Sequence, residues 1–232
     1  MTAYSPSRLN AYRECPLKYR FGYIDGIRKP GEPIEAFTGT RVHETLEEFV
    51  DVRSRFGKEL GFEDVSRIFR RKWDESYHGD VTIRREYMTP EDYRNKGLDF
   101  LRKFFEIESG REPGTVVGLE KRIHLRIEDD TITGYIDRLE RTGNDFVVID
   151  YKATDFPYSQ EQADADWQLG IYELAVRDEF PEAENVTLNW YFLGPPQLVS
   201  STRSLEQRED LARKVRALIQ EIENATDFPP TK

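Results

Sequence analysis

The chain has 232 residues, of which 34% are charged and 38% hydrophobic, and its formal net charge is −10. That balance argues against a surface that holds nucleic acid through general positive charge, although a cluster of acids that collects a metal would add to the same total. No run approaches the roughly 20 apolar residues of a membrane span, MTAYSPSRLNAYRECP is no secretory pattern, and one cysteine excludes an internal disulfide framework; the expectation is a soluble cytoplasmic protein without a membrane partner.

Ser5-Pro6 signals a helix start, with an N-cap followed by proline at the first helical position. Leu9, Tyr12 and Cys15 then share a face until Pro16 breaks it, and a further turn carries Tyr19 and Phe21. Gly and Pro content predicts a loop over 26–36, with Gly39 ahead of the next helix and His43 in its first or second turn. Val42, Leu46, Phe49 and Val50 repeat at helical spacing there. A helix over about 63–77 has Val65, Ile68, Phe69 and Trp73 on one face, and Thr89-Pro90 opens a third with Tyr93, Leu98, Leu101, Phe104 and Phe105. The basic faces Arg67–Lys72 and Arg94–Lys103 are candidates for phosphate contact, though charge runs are usually solvated, and the aromatic stripe Phe100 to Phe105 reads as core.

From about 115 the period changes to two. Three antiparallel strands are predicted, with turns at Glu128-Asp129-Asp130 and Gly143-Asn144. A helix follows over about 159–179, then an apolar strand at 186–193 and a short partner at 197–203. In the last helix Ser204 and Gln207 form a capping box above a stripe of Leu211, Val215, Leu218 and Ile222. With no repeat and no linker, the order predicts one α/β domain over 1–232, mainly helical over 1–110, with a central mixed sheet and flanking helices over 115–232.

The hairpin at 133–152 carries the chemistry. Period two puts Asp150 and Lys152 on one strand face with Tyr151 on the other, and the hairpin returns Asp137 beside Asp150. Two carboxylates beside an ammonium are costly unless used, and a hard divalent cation such as Mg²⁺ or Mn²⁺ is the simplest use. Lys152 would then neutralise charge developing on a phosphate. The plainer alternative is a solvated hairpin whose acids pair with Arg138 and Arg141. However, Phe146-Val147-Val148-Ile149 mark a strand buried on both faces. Glu120 reads first as a surface strand acid and second as a neighbour of the site. His78 and His124 read as ordinary polar residues.

Gly134-Tyr135-Ile136-Asp137-Arg138 followed by Ile149-Asp150-Tyr151-Lys152 resembles the PD-(D/E)XK nuclease core, and more narrowly its RecB-like exonuclease branch, which includes CRISPR-associated members. Gly39 to His43 resembles the G-x-x-x-H helix of that branch, Gln168 to Tyr172 its Q-x-x-x-Y motif, and Cys15 to Tyr19 its C-P-x-K-[FY] segment. Together these span residues 4 to 172 in the family's order. The resemblance implies a restriction-endonuclease-like core and a metal-dependent deoxyribonuclease, with exonuclease action on DNA ends or single strands in repair, recombination or CRISPR-type processing. It implies metal ligation by His43, Asp137, Asp150 and the Tyr151 carbonyl, catalysis by Asp137, Asp150 and Lys152, and support from Gln168 and Tyr172 on one helix face. A lone helical histidine is usually structural, but Asp137 and Asp150 as partners make ligation the better reading. The resemblance also implies a helicase or CRISPR-type protein partner. In iron–sulfur members, a cysteine placed like Cys15 is one of four cluster ligands, the others lying in a C-terminal tail that would begin just past FPPTK. With a single cysteine this chain does not supply four thiolates, and Cys15 reads as a buried free thiol. The alternative is a catalytically inactive module of the same fold that binds DNA or a helicase partner.

Overall fold

A computed structural model of the chain describes residues 3–27, 30–108 and 112–231. A two-residue strand β1 (Ala3–Tyr4) leads to Ser5, whose hydroxyl accepts the Arg8 amide at 3.1 Å and so starts α1 (Pro6–Glu14). A single helical turn, α2 (Pro16–Tyr19), continues into a π-helical turn at Arg20–Ile24. Strand β2 (Glu32–Pro33) pairs with β3 (Val81–Thr82). Between them lie α3 (Ile34–Phe56) and α4 (Phe62–Ser76), and α5 (Pro90–Glu108) follows. The loop expected over 26–36 is therefore shorter: α3 begins at Ile34, directly after Pro33, so Gly39 sits inside the helix and His43 falls in its third turn. The Thr38 and Thr40 hydroxyls return to the Ile34 and Ala36 carbonyls, so these polar residues are accommodated within the helix.

The long strands β4 (Thr115–Ile127), β5 (Asp130–Thr142) and β6 (Asp145–Lys152) form the expected antiparallel meander. Gly143 supplies the positive φ of 62° in the tight β5–β6 turn. The single helix expected over 159–179 is two, α6 (Gln160–Asp164) and α7 (Trp167–Glu179), because the Asp166 carboxylate captures the Leu169 amide at 2.8 Å and restarts the helix. Strand β7 (Asn185–Phe192) then pairs parallel with β6, β8 (Gln197–Ser201) pairs antiparallel with β7, and α8 (Leu205–Asn224) opens with the Ser204/Gln207 capping box. Its buried stripe is Leu211, Val215, Ile219 and Ile222, with Leu218 only half-buried. Among the described residues no helix is long and apolar enough to cross a membrane.

The result is a central mixed sheet between helical layers. One sheet face packs with α1, α7 and α8, through Leu9, Tyr172, Leu211 and Val215. The other packs with α3, α4 and α5, through Leu46, Phe69 and Phe104. Strand β6 alternates between them, with Phe146 and Val148 facing the first cluster and Ile149 and Tyr151 the second.

On β4 and β5 this alternation slips at a common level. Ile132 and Ile136 face the first cluster, whereas Arg138, of the same parity, is buried against Glu108 of α5. Across the pair, Ile123 and Leu125 face the first cluster and Leu119 the second. Glu120 lies between Leu119↔Arg138 and Lys121↔Ile136 in the register, opposite Asp137, with a positive φ of 42°. Here too β5 changes partner along its other edge. It pairs with β1 at Thr131 and Ile132 and with β6 from Arg138 onward, so 133–137 have no described strand partner on that side. Tyr172 packs over this opening: a Cβ on Gly134 would meet its Cε1 at 2.8 Å.

Arg138, 2% exposed, lies between Glu108, at 2.9 Å, and the fully buried Glu140. Tyr191 donates to Glu108 at 3.2 Å. Replacing Arg138 by Ala leaves buried carboxylates facing each other without that cation, so urea denaturation of Arg138→Ala is expected to show a loss of about 3 kcal/mol. A change below about 1 kcal/mol would mean that the guanidinium contributes little to holding this level of the sheet.

Candidate active site

Extending the β5–β6 register by one step beyond Arg138↔Ile149 sets Asp137 opposite Asp150. The strands diverge there, and the Asp137 carboxylate takes the Tyr151 amide at 2.7 Å, satisfying a donor that the ladder leaves open. The same Oδ2 lies 3.3 Å from His43 Nδ1, reaching in from α3. Asp150, 4% exposed, pairs with Lys152 at 2.7 Å. From the opposite helical layer, Gln168 Nε2 lies 3.4 Å from Asp150 Oδ1 and 3.2 Å from the Tyr172 hydroxyl. The six side chains picked out by motif thus meet at one end of the sheet, drawn from α3, β5, β6 and α7.

The acids do not pair with the neighbouring arginines as a solvated hairpin would require. Arg138 is held by Glu108 and Glu140, and Arg141 by Glu182 at 2.9 Å. The side chain of Tyr151 packs in the second core cluster beside Phe104 and Tyr191.

Glu120, read first as a surface strand acid and second as a neighbour of the site, fits both readings: it is exposed and lies beside His43 and Asp137. His43, Glu120 and Asp137 offer ligand atoms that all lie within 4.8 Å of one another, a spacing that suits a metal ion. The cue was available in the sequence: Ile127↔Asp130 at the turn fixes the register that puts Glu120 opposite Asp137. Cys15 is half-exposed rather than buried. It links α1 to α2, and backbone hydrogen bonds from Thr231 and then Lys18 hold its thiol below the usual range. The basic faces on α4 and α5 are largely paired: Arg71 and Lys72 with Glu48, Arg94 with Asp74 and Lys103 with Asp99.

The electrostatics are those of crowded carboxylates. Burial, with Asp137 adding to it, pushes Asp150 up to about 6 against the lowering pull of Lys152. Burial would depress the His43 imidazole, but Asp137, by charge and hydrogen bond, and then Asp150 and Glu120 lift it to about 9. Glu120 is raised, by desolvation first and Asp137 second. Lys152 stays protonated because Asp150 outweighs its burial. Burial lifts Tyr172 to about 12, so its hydroxyl keeps its proton at neutral pH. A cation would favour the ionised carboxylates against the burial, and against the smaller repulsion from Asp137, that raise them.

This fold and this cluster define a nuclease-type acid site on a three-layer α/β frame. A profile described as the PD-(D/E)XK nuclease superfamily matches residues 3–232, and the chain belongs to that superfamily. The Gene 69 protein of Mycobacterium phage D29 is 25% identical to it, over 82% of this chain and 74% of the phage protein. The Gene 69 protein of Mycobacterium phage L5 is 22% identical, over 97% and 89% respectively. Among solved structures, a putative exonuclease from Eubacterium rectale superposes with a TM-score of 0.58 at 8% identity, over 97% of this chain and 83% of that one. At that identity the likeness concerns the fold alone.

His43, as a ligand, would link metal binding to pH. Its folded-state pKa near 9 lies above the ordinary 6.5. Without a cation, the stability this gives is complete below pH 6.5 and is lost as pH rises through about 9. A divalent cation bound through the imidazole must displace the proton. Apparent Mn²⁺ affinity is therefore expected to rise about tenfold per pH unit from about pH 6, once Asp150 has ionised, to about pH 9, then level off. Calorimetry in buffers of different ionisation heat reads the released proton; binding without proton release would remove His43 from the ligand set.

Proposed function

We propose that the protein is a metal-dependent deoxyribonuclease of the RecB-like branch, acting as an exonuclease on DNA ends or single strands. The observation that carries this reading is the convergence of His43, Glu120 and Asp137 with the Asp150–Lys152 pair where the sheet opens. His43, Glu120, Asp137 and Asp150, with the Tyr151 carbonyl, would hold Mg²⁺ or Mn²⁺. Such an ion supplies Lewis acidity toward a phosphodiester and makes nearby water more acidic.

The chain's own groups divide the remaining work. Lys152 keeps a full positive charge beside Asp150 and offsets negative charge developing on the phosphate oxygens. Asp137 orients the His43 ring and caps the Tyr151 amide. Gln168 links Asp150 to Tyr172 and fixes the carboxylate's angle. Tyr172, held against Gly134, closes the first-cluster side of the opening. Repair, recombination or CRISPR-type processing is the setting this reading gives, with a helicase or CRISPR-type protein as partner.

End-labelled single- and double-stranded DNA, incubated with Mn²⁺, Mg²⁺ or chelator, tests the proposal. Asp150→Ala and Lys152→Ala are each expected to lose at least about 100-fold in cleavage rate, on the scale of removing one electrostatic group from such a site. Binding without cleavage in either metal would replace this reading with a non-catalytic module.

A further inference from the structure

Beside the acid cluster, on the α1 and α7 side, the Arg13 guanidinium lies over the Trp167 ring with 3.9 Å from its carbon to the ring centroid. Trp167 opens α7 and immediately precedes Gln168 of the site. Arg13 is exposed, Trp167 is half-buried, and Arg13 forms no salt bridge among the described residues. Asn10, one turn earlier on α1, steadies it by accepting from Nη1 at 3.1 Å. A guanidinium seated over an indole offers its outer side as a cationic surface for a further ring.

Two grooves of about 400 Å³ each meet at this stack and share Arg13, Ala165, Asp166 and Trp167. One of them is also lined by Tyr158. Tyr158 is anchored against Phe192 at 5.2 Å and lies close enough to act on the Lys152 charge. That groove therefore carries Tyr158 and the Arg13–Trp167 pair in one lining, and Trp167 is the residue next to Gln168 of the acid site. The acids of the two grooves are already engaged: Glu14 pairs with Lys18 at 2.7 Å, Asp166 caps α7, Asp164 accepts from Ser201 at 2.6 Å, and Asp210 pairs with Lys214 at 2.6 Å. Such a lining offers a poor track for phosphates. It suits a flat, neutral, polarisable group, and a nucleobase is one.

We infer that the Arg13–Trp167 stack, reached past Tyr158, is a base-stacking platform for a single-stranded nucleic acid whose backbone passes the acid site. The inference rests on the nuclease reading for its ligand class, but its readout is binding without cleavage. Trp73 and Trp190 are 4% and 0% exposed, so Trp167 is the tryptophan that bound bases can reach.

The full chain is titrated with a fluorescein-labelled 12-nucleotide thymidine strand, in chelator and again in Ca²⁺. Binding is followed by fluorescein anisotropy, and tryptophan emission is followed with the unlabelled strand. Saturable quenching is expected, together with about tenfold weaker binding for Trp167→Ala and for the surface variant Arg13→Ala, in line with the loss of one stacked base. Trp167→Phe keeps a ring and recovers most of the affinity. Unquenched emission on binding, wild-type affinity in both Arg13→Ala and Trp167→Ala, or no binding in either condition would each overturn the platform. Quenching and the variant effects with no cleavage in Mn²⁺ or Mg²⁺ would instead leave the platform standing and remove the nuclease reading.

Discussion

Everything at the candidate site depends on one level of the sheet, where Glu120, Asp137 and Asp150 come abreast and regular pairing stops. A strand in mid-sheet has its amides and carbonyls paired on both edges and its side chains fixed to alternate faces. A cation site needs the reverse: carboxylates turned toward one point and backbone groups free to be capped by them. The chain achieves this by slipping the face alternation of β4 and β5 together and by handing the outer edge of β5 from β1 to β6. A non-glycine residue with φ of 42° at Glu120 marks where the backbone is bent to do so, a local cost of order 1–3 kcal/mol that the surrounding pairing must hold in place.

The opening also explains how two helical layers on opposite sheet faces contribute to one site. His43 arrives on α3 from the second cluster and Gln168 with Tyr172 on α7 from the first, and only beyond the end of regular pairing can they meet. Directly behind, the Arg138–Glu108–Glu140 group lies buried on the second face. Removing charges from water is unfavourable, and a buried ionic group is weak evidence for net stability. Its position one residue after Asp137 ties the slipped rung to α5, which gives that group a geometric role whatever its net energy.

Much of this was legible in the sequence because it is local. The alternating runs, the Gly143 turn and the capping residues Ser5 and Ser204 each act within a few positions. The hairpin fixes Asp137 against Asp150 by counting alone. What escaped or ranked low was of two kinds. Asp166 and Pro33 set helix boundaries through cap geometry that competes with long helical patterns, so α6 and α7 read as one and α3 started late. Glu120 ranked as a neighbour of the site only second because alternation assigns it to solvent, where it stays exposed, and the slip at its own position sets it beside Asp137. A count across the β4–β5 turn does pair it with Asp137, so register carried the signal that periodicity concealed. His43, Gln168 and Tyr172 were found through motif order rather than physics, since their convergence depends on tertiary packing that no local pattern encodes.

The net charge of −10 poses the remaining physical question, how such a chain engages a polyanion. Part of the negative total is concentrated in the acid cluster, where a divalent cation would invert its sign locally. The surface cations of α4 and α5 are largely tied to neighbouring acids, so long-range steering by a basic face has little to act through. On the proposed reading, attachment would come from short-range terms: inner coordination at the acid cluster, the Lys152 charge beside it, and ring or guanidinium planes that accept bases irrespective of phosphate. Such terms act at contact and fall off within a few ångströms. On that proposed reading, they would suit a strand end or a single strand fed into the opening better than the smooth outer surface of a duplex, where only phosphates are presented.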